Sequence, residues 1–293
     1  MKIAITGAKG QLGREWVSYL HRKGVWHQAY GSGELDITDR EEIGRQLGKS
    51  NPTCVINCAA FTGVDQAEDH PDKADLVNHL GVKYLSEWCH AHEVPIIHFS
   101  TDYVFPGLEC DKLRYPDGYF EDSFKQPVNE YGRSKLAGEQ ALAASGADFL
   151  LIRVSWLCGR FGKNFVKTML RLGVDQKRIK VVNDQWGSPT FTDQVTKHVF
   201  RLLKSGEKGV YHLSSGAMIS WYEFATEIFR QSGLSPELKP VTSEEFEMKA
   251  RRPYFSKLNH SKISRTLNVE MEYWKSGLSR LLNQLNSVND YDS

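Results

Sequence analysis

Several features are scarce in this sequence, and each absence removes a class of protein. Only five cysteines occur in 293 residues and none forms a C-x-x-C pair, which excludes a zinc ribbon, a dithiol redox motif and a dense disulfide framework. Four of the five lie in apolar segments and read as buried reduced thiols. No apolar run is long enough to cross a bilayer. The opening MKIAITG passes from one lysine straight into a short strand without a signal-type stretch, so a cytoplasmic protein with no membrane partner is expected. Charge of one sign is missing too: 37 Lys and Arg stand against 36 Asp and Glu. Nucleic acid is therefore not an expected partner, although one basic pocket for a phosphorylated ligand would not show in such a total. There is no internal repeat and no low-complexity tract. The group His90, His92 and His98 does not make a ligand set, because His90 and His92 point to different sides of a helix and His98 falls in the next strand. No metal is expected.

What the chain does contain is alternation. Short β-branched runs at 2–6, 25–30, 53–57, 94–100 and 148–155 are separated by helical patterns near 11–23, 40–49, 72–92 and 133–145. Strand and helix in strict turn predict parallel βαβ units, hence an α/β fold with a Rossmann-type doubly wound sheet. Beyond about residue 155 the pattern loosens. We expect residues 1–155 to form the dinucleotide-binding domain, with about 179–215 returning to it. A smaller, mostly helical substrate domain would use 156–178 and 216–293, and the polar end NQLNSVNDYDS should fray. Ligands in such sheets bind at the carboxyl ends of the strands.

Three motifs fall at those ends. TGAKGQLG (6–13) follows a strand and opens a helix, so Gly7, Gly10 and Gly13 suit a pyrophosphate turn. The second strand ends in AYGSG, without the acid that grips a ribose 2′-hydroxyl; Glu34 and Asp36 come later, in ELDITD, which reads as a further short strand. That absence favours NADPH, with NADH as the alternative. HFSTDYVF (98–105) runs into Ser100, Thr101 and Asp102, where a hydroxyl can hold a carbonyl. YGRSK (131–135) places Tyr131 one helical turn before Lys135. A phenol titrates near 10, and an adjacent ammonium with an oxidised nicotinamide can lower that by roughly two or three units, making Tyr131 a usable proton donor.

Together these blocks resemble an extended short-chain dehydrogenase/reductase. NCAAFTGVDQAE, NEYGRSKLAGE, IRVSWLCGRFGKNFVKTML, DQWGSPT and RPYFSKL narrow the resemblance, which runs from residue 1 to about 260, to the dTDP-4-dehydrorhamnose reductase family. The resemblance implies a nucleotide-sugar substrate and catalytic roles for Thr101, Tyr131 and Lys135. It implies cofactor contacts from Gly7, Gly10, Gln11, Leu12, Asp36, Ile37, Ala59 and Ala60, together with Tyr131 and Lys135. It implies substrate contacts from Thr101, Asp102, Tyr103, Trp156, Asn164 and Arg252, with Arg251 a weaker choice. Pro106, Cys58 and Trp186 depart from the family pattern and bear on substrate preference. Some members dimerise through a magnesium site on glutamates; Glu15 matches one position but Asp193 replaces another, so no metal is expected and a homodimer is left open. Two other readings stay open: another nucleotide 4-keto-sugar reductase or epimerase would use the same triad, whereas the intact Thr101, Tyr131 and Lys135 argue against a regulatory subunit of the methionine adenosyltransferase type.

Overall fold

The apolar runs assemble as the alternation predicts. In the computed structural model, which describes residues 1–289, strands Lys2–Thr6 (β1), Trp26–Tyr30 (β2), Cys54–Asn57 (β3), Ile96–Thr101 (β4) and Phe149–Val154 (β5) join Gly209–Leu213 in a six-stranded sheet. Every pairing in it is parallel, and the order is β2, β1, β3, β4, β5, Gly209–Leu213. β3 and β4 are buried along their whole length, as strands covered on both faces must be. Because β1 lies between β2 and β3, the chain changes direction across it. The crevice beyond the carboxyl ends of β1 and β3 is then the place where a doubly wound sheet takes its ligand.

Helix Gln11–Arg22 (α1) and helix Thr192–Lys204 cover one face, sending Trp16, Leu20, Val195, Val199 and Leu202 into the core. Helices Arg40–Ser50, Gly81–Ala91 and Glu130–Ala144 cover the other with Ile43, Leu47, Val82, Leu85 and Leu142. Each fully buried leucine or valine contributes about 1.5–3 kcal/mol, more than any single propensity difference in these helices. A third core in the C-terminal half collects Val166, Met169, Ile179, Val181, Phe224, Ile228, Trp274 and Leu278. No helix among the described residues is long and apolar enough to cross a membrane.

Four expectations need correction. The strand Arg178–Val182 does not return to the large sheet; it pairs in parallel with Glu237–Val241, its alternate residues Ile179 and Val181 feeding the third core. Helix Thr192–Lys204 and strand Gly209–Leu213 do go back, and helix Ser261–Leu267, expected in the smaller domain, joins them by burying Ile263 and Leu267 in the large-sheet core. The helix predicted over 72–92 is broken into Pro71–Asp75, a π-helical turn Leu76–Leu80 and Gly81–Ala91. Pro71 opens the first piece, as a residue without an N–H can. The wide turn lets the Asn78 side chain donate to Phe61 O and Ser134 Oγ while its backbone lies against Gly138, so the irregularity serves helix packing. ELDITD forms turns rather than a strand: Leu35 and Ile37 are buried, but Asp39 caps the following helix by accepting from Glu41 N and Glu42 N. The tail expected to fray is helical from Trp274 to Asn289, and 290–293 of it lie outside the described residues.

Candidate active site

The turn after β1 begins the site. Gly7 sits at φ +62°, and a Cβ there would overlap the Ala59 backbone. Gly10 N-caps α1 with no side-chain cap and no acid in the first helical turn. The leading N–H groups of α1 therefore keep their capacity to bind an anion, reinforced by the positive end of the helix dipole. We predict that Gly7→Ala costs at least about 1–3 kcal/mol of backbone strain, read as a lower urea midpoint and weaker NADPH binding. Unchanged stability would show that the turn relaxes.

A cleft of about 440 Å³ opens at the crevice, lined by Gly10, Gln11 and Leu12 after β1, by Asn57, Cys58, Ala59 and Ala60 at the end of β3, and by Ser100, Thr101, Asp102 and Tyr103 at the end of β4. Tyr131, Lys135, Trp156 and Lys163 complete it. Asn129 sets the start of helix Glu130–Ala144 by accepting from Gly132 N at 2.8 Å, a cap that points Tyr131 and Lys135, one turn apart, to the same side. Tyr103 meets Tyr131 edge-on at 5.5 Å between ring centroids. Trp156 adopts φ +46°, a strained conformation for a bulky residue; it is stacked on Trp221 with centroids 3.6 Å apart.

The acidification expected of Tyr131 relied on an oxidised nicotinamide beside the ammonium; the protein groups alone act the other way. Burial pushes the Tyr131 phenol upward, Asp102 adds to the rise, and the Thr101 hydroxyl opposes it. Asp102 is itself raised to about 6 by burial, against hydrogen bonds from Ser256 and Thr101. The Lys135 amine is lowered to about 8 by burial, which the charge of Glu139 partly offsets. It faces Phe99 O at 2.7 Å and His98 Nε2 at 3.3 Å. Without a ligand the phenol is thus held firmly protonated, and lysine does not acidify it.

Not every expected residue reaches the cleft. Asp36 is exposed and accepts from Thr38 N and Oγ1 at 2.9 and 2.8 Å, while Ile37 is core. Asn164 caps helix Phe165–Asp175 and donates to Gln11 Oε1 and Gly159 O. It borders the site through Gln11 without lining it. Arg252 pairs with Asp65 at 2.8 Å, and exposed Arg251 offers its carbonyl to Asn129. The acid absent from the end of β2 arrives from the turn instead. Glu34 folds back to accept from Gly31 N at 2.8 Å and from Lys9 Nζ at 2.6 Å, beside a second cavity of about 480 Å³ between α1 and β2. Sequence reasoning also passed over Asn57, the role of His98, and Lys163, an exposed cation adjacent to the flagged Asn164.

A doubly wound parallel sheet, an uncapped helix at its switch point, and a threonine, tyrosine and lysine converging on the same crevice define the extended short-chain dehydrogenase/reductase class. Within it, the chain belongs to the RmlD substrate binding domain family, which matches residues 1–287. It is 37% identical to the spore coat polysaccharide biosynthesis protein SpsK of Bacillus subtilis (strain 168), over 99% of both chains. It is 35% identical to a dTDP-4-keto-6-deoxy-D-glucose reductase of Streptomyces niveus, over 97% of each. Among solved structures it resembles a dTDP-4-dehydrorhamnose reductase of Bacillus anthracis in complex with NADP, at TM-score 0.91 and 36% identity, covering 97% of this chain and 99% of the other.

Proposed function

We propose that this chain is an NADPH-dependent reductase that converts the C4 keto group of dTDP-4-dehydro-L-rhamnose to the alcohol, giving dTDP-L-rhamnose. The observation that carries the reading is the shared cleft. Thr101, Tyr131 and Lys135 line it together with Gly10, Gln11 and Leu12 at the open N-terminus of α1, and the Bacillus anthracis dTDP-4-dehydrorhamnose reductase it resembles is in complex with NADP.

The residues suit a dinucleotide. Free N–H groups of α1 face the pyrophosphate position, Ala59 and Ala60 leave room for a ribose, and the Ser100 hydroxyl is buried with no partner among the described residues. When bound, the cofactor supplies the hydride. Thr101, which donates to Asp102 Oδ1 at 2.9 Å, would redirect that bond to the substrate carbonyl and fix its orientation. Tyr131 delivers the proton to the carbonyl oxygen, Lys135 anchors the cofactor ribose, and Trp156 and Tyr103 bound the sugar. Positioning and a charge-stabilising site then account for most of the acceleration. In this reading residues 1–155 with the returning segment serve the dinucleotide and the C-terminal half serves the sugar. The protein acts in the cytoplasm with the nucleotide sugar as its partner, and homodimerisation is not required by the cleft.

The test is NADPH absorbance with dTDP-4-dehydrorhamnose against its UDP and GDP counterparts. Stoichiometric oxidation with the dTDP sugar is expected, and no oxidation with any of them would overturn the proposal. The Streptomyces niveus relative favours a second reading, reduction of dTDP-4-keto-6-deoxy-D-glucose without prior epimerisation. Faster turnover of that sugar would select it.

A further inference from the structure

A buried polar chain runs behind the cleft across three strands. Thr6 at the end of β1, Asn57 at the end of β3 and His98 in β4 are all at most 1% exposed, and Lys135 is 2% exposed. Thr6 Oγ1 donates to Asn57 Oδ1 at 2.6 Å, and the Ala59 backbone N–H donates to the same oxygen at 3.1 Å. A backbone N–H cannot accept, so the amide orientation of Asn57 is fixed and its Nδ2 must be the group facing His98 Nδ1, at 3.1 Å. Nδ1 therefore accepts. That rules out the imidazolium, which would donate from both nitrogens, and leaves the ring neutral with its single proton on Nε2. Nε2 lies 3.3 Å from Lys135 Nζ. An ammonium has no lone pair to receive this N–H, whereas an uncharged amine has one, and it can still donate to Phe99 O at 2.7 Å.

From this proton count we infer that His98 donates Nε2–H to Lys135 and holds it as a neutral amine until the cleft is occupied, which makes His98 a positioning residue for the proton chemistry of Tyr131. The other groups facing the amine do not restore its charge. Cys58, beside the end of β3, is a thiol pushed upward by burial. Tyr131, a turn earlier on the same helix, is held protonated. Glu139, a turn later, favours the ammonium but is committed to Arg153 through bonds of 2.8 and 2.7 Å. Burial lowers both His98 and Lys135, the amine to about 8, so the shift runs toward the neutral pair without reaching it at neutral pH, and the proton count along the chain carries the assignment. Lys135 would then gain its proton as ribose hydroxyls and phosphates enter, so that Tyr131 is acidified only when cofactor is present. This consequence rests on the reductase reading above; the state of the free protein does not.

Two measurements test it. In the free protein, ¹⁵N-histidine spectra assigned with His98→Gln should show His98 as the Nε2–H tautomer at neutral pH; an Nδ1–H tautomer or an imidazolium would overturn the inference. Calorimetry in buffers of different ionisation enthalpy, at about pH 8.5 and so well above the cofactor phosphate's pKa of roughly 6, should show proton uptake on binding NADPH. His98→Leu should lose most of that uptake, because the amine is then already charged. Uptake that is absent in the wild type, or unchanged in the variant, would also overturn it. Should His98→Leu fail to fold, the tautomer still decides. A protein with the expected tautomer and uptake but no turnover of any keto-sugar would sink the reductase assignment alone, while normal turnover with the Nδ1–H tautomer would sink this inference alone.

Discussion

Tyr131→Phe should lower kcat by about 10²–10⁴, the range that a positioned general acid supplies, while the dissociation constant for NADPH stays within a few-fold of wild type. At 1.36 kcal/mol per factor of ten, that is roughly 3–5.5 kcal/mol of transition-state stabilisation. The reasoning starts from burial. The phenol is desolvated and stands near Asp102, so it remains a phenol in the resting cleft and is present as a donor whenever substrate binds. Phenylalanine keeps the ring, hence the edge-on contact with Tyr103 at 5.5 Å, and leaves untouched the open N-terminus of α1. Steady-state kinetics and cofactor fluorescence would separate the two effects. A kcat within a few-fold of wild type would remove Tyr131 from the proton-donor role, and a matching loss of NADPH binding would make its role structural.

Much of this site was legible in the chain because its signals are local. The glycines at 7, 10 and 13 announce a turn between a strand and a helix, and the Tyr131–Lys135 spacing is that of one helical face. The register of β4 delivers Thr101 to the strand end whatever the rest of the protein does. What could not be read depends on contacts between distant segments. His98 and Asn57 are 41 residues apart and look in sequence like an ordinary interior position of one strand and the last residue of another. Glu34 supplies an acid at the end of β2 only because the turn after Gly31 folds back, and no periodicity marks that. Arg178–Val182 has a strand pattern, but its choice of Glu237–Val241 over the large sheet is a matter of which hydrophobic core receives Ile179 and Val181. The state of the Lys135 amine was hidden for a related reason: one turn of helix brings two residues to one side, but burial and the partners on β4 bear on the charge that the amine carries.

Arg153→Met should destabilise the fold by about 3–5 kcal/mol, the cost of stranding one member of a buried ion pair. Arg153 is 2% exposed, and every bond it makes is internal. Nε and Nη2 form a two-pronged pair with Glu139, and Nη1 donates to Glu121 O at 2.8 Å and to His212 Nε2 at 3.0 Å. His212 in turn donates from Nδ1 to Tyr119 O at 3.0 Å, and burial keeps the imidazole neutral. Removing the guanidinium leaves a carboxylate, a ring nitrogen and a carbonyl without this donor, the first two on buried side chains. The loss should be partly undone in Arg153→Met/Glu139→Met, because replacing both partners removes the uncompensated charge that replacing one creates. Urea denaturation of the two variants decides the matter, and a single substitution costing under about 1 kcal/mol would mean that the pair contributes nothing special.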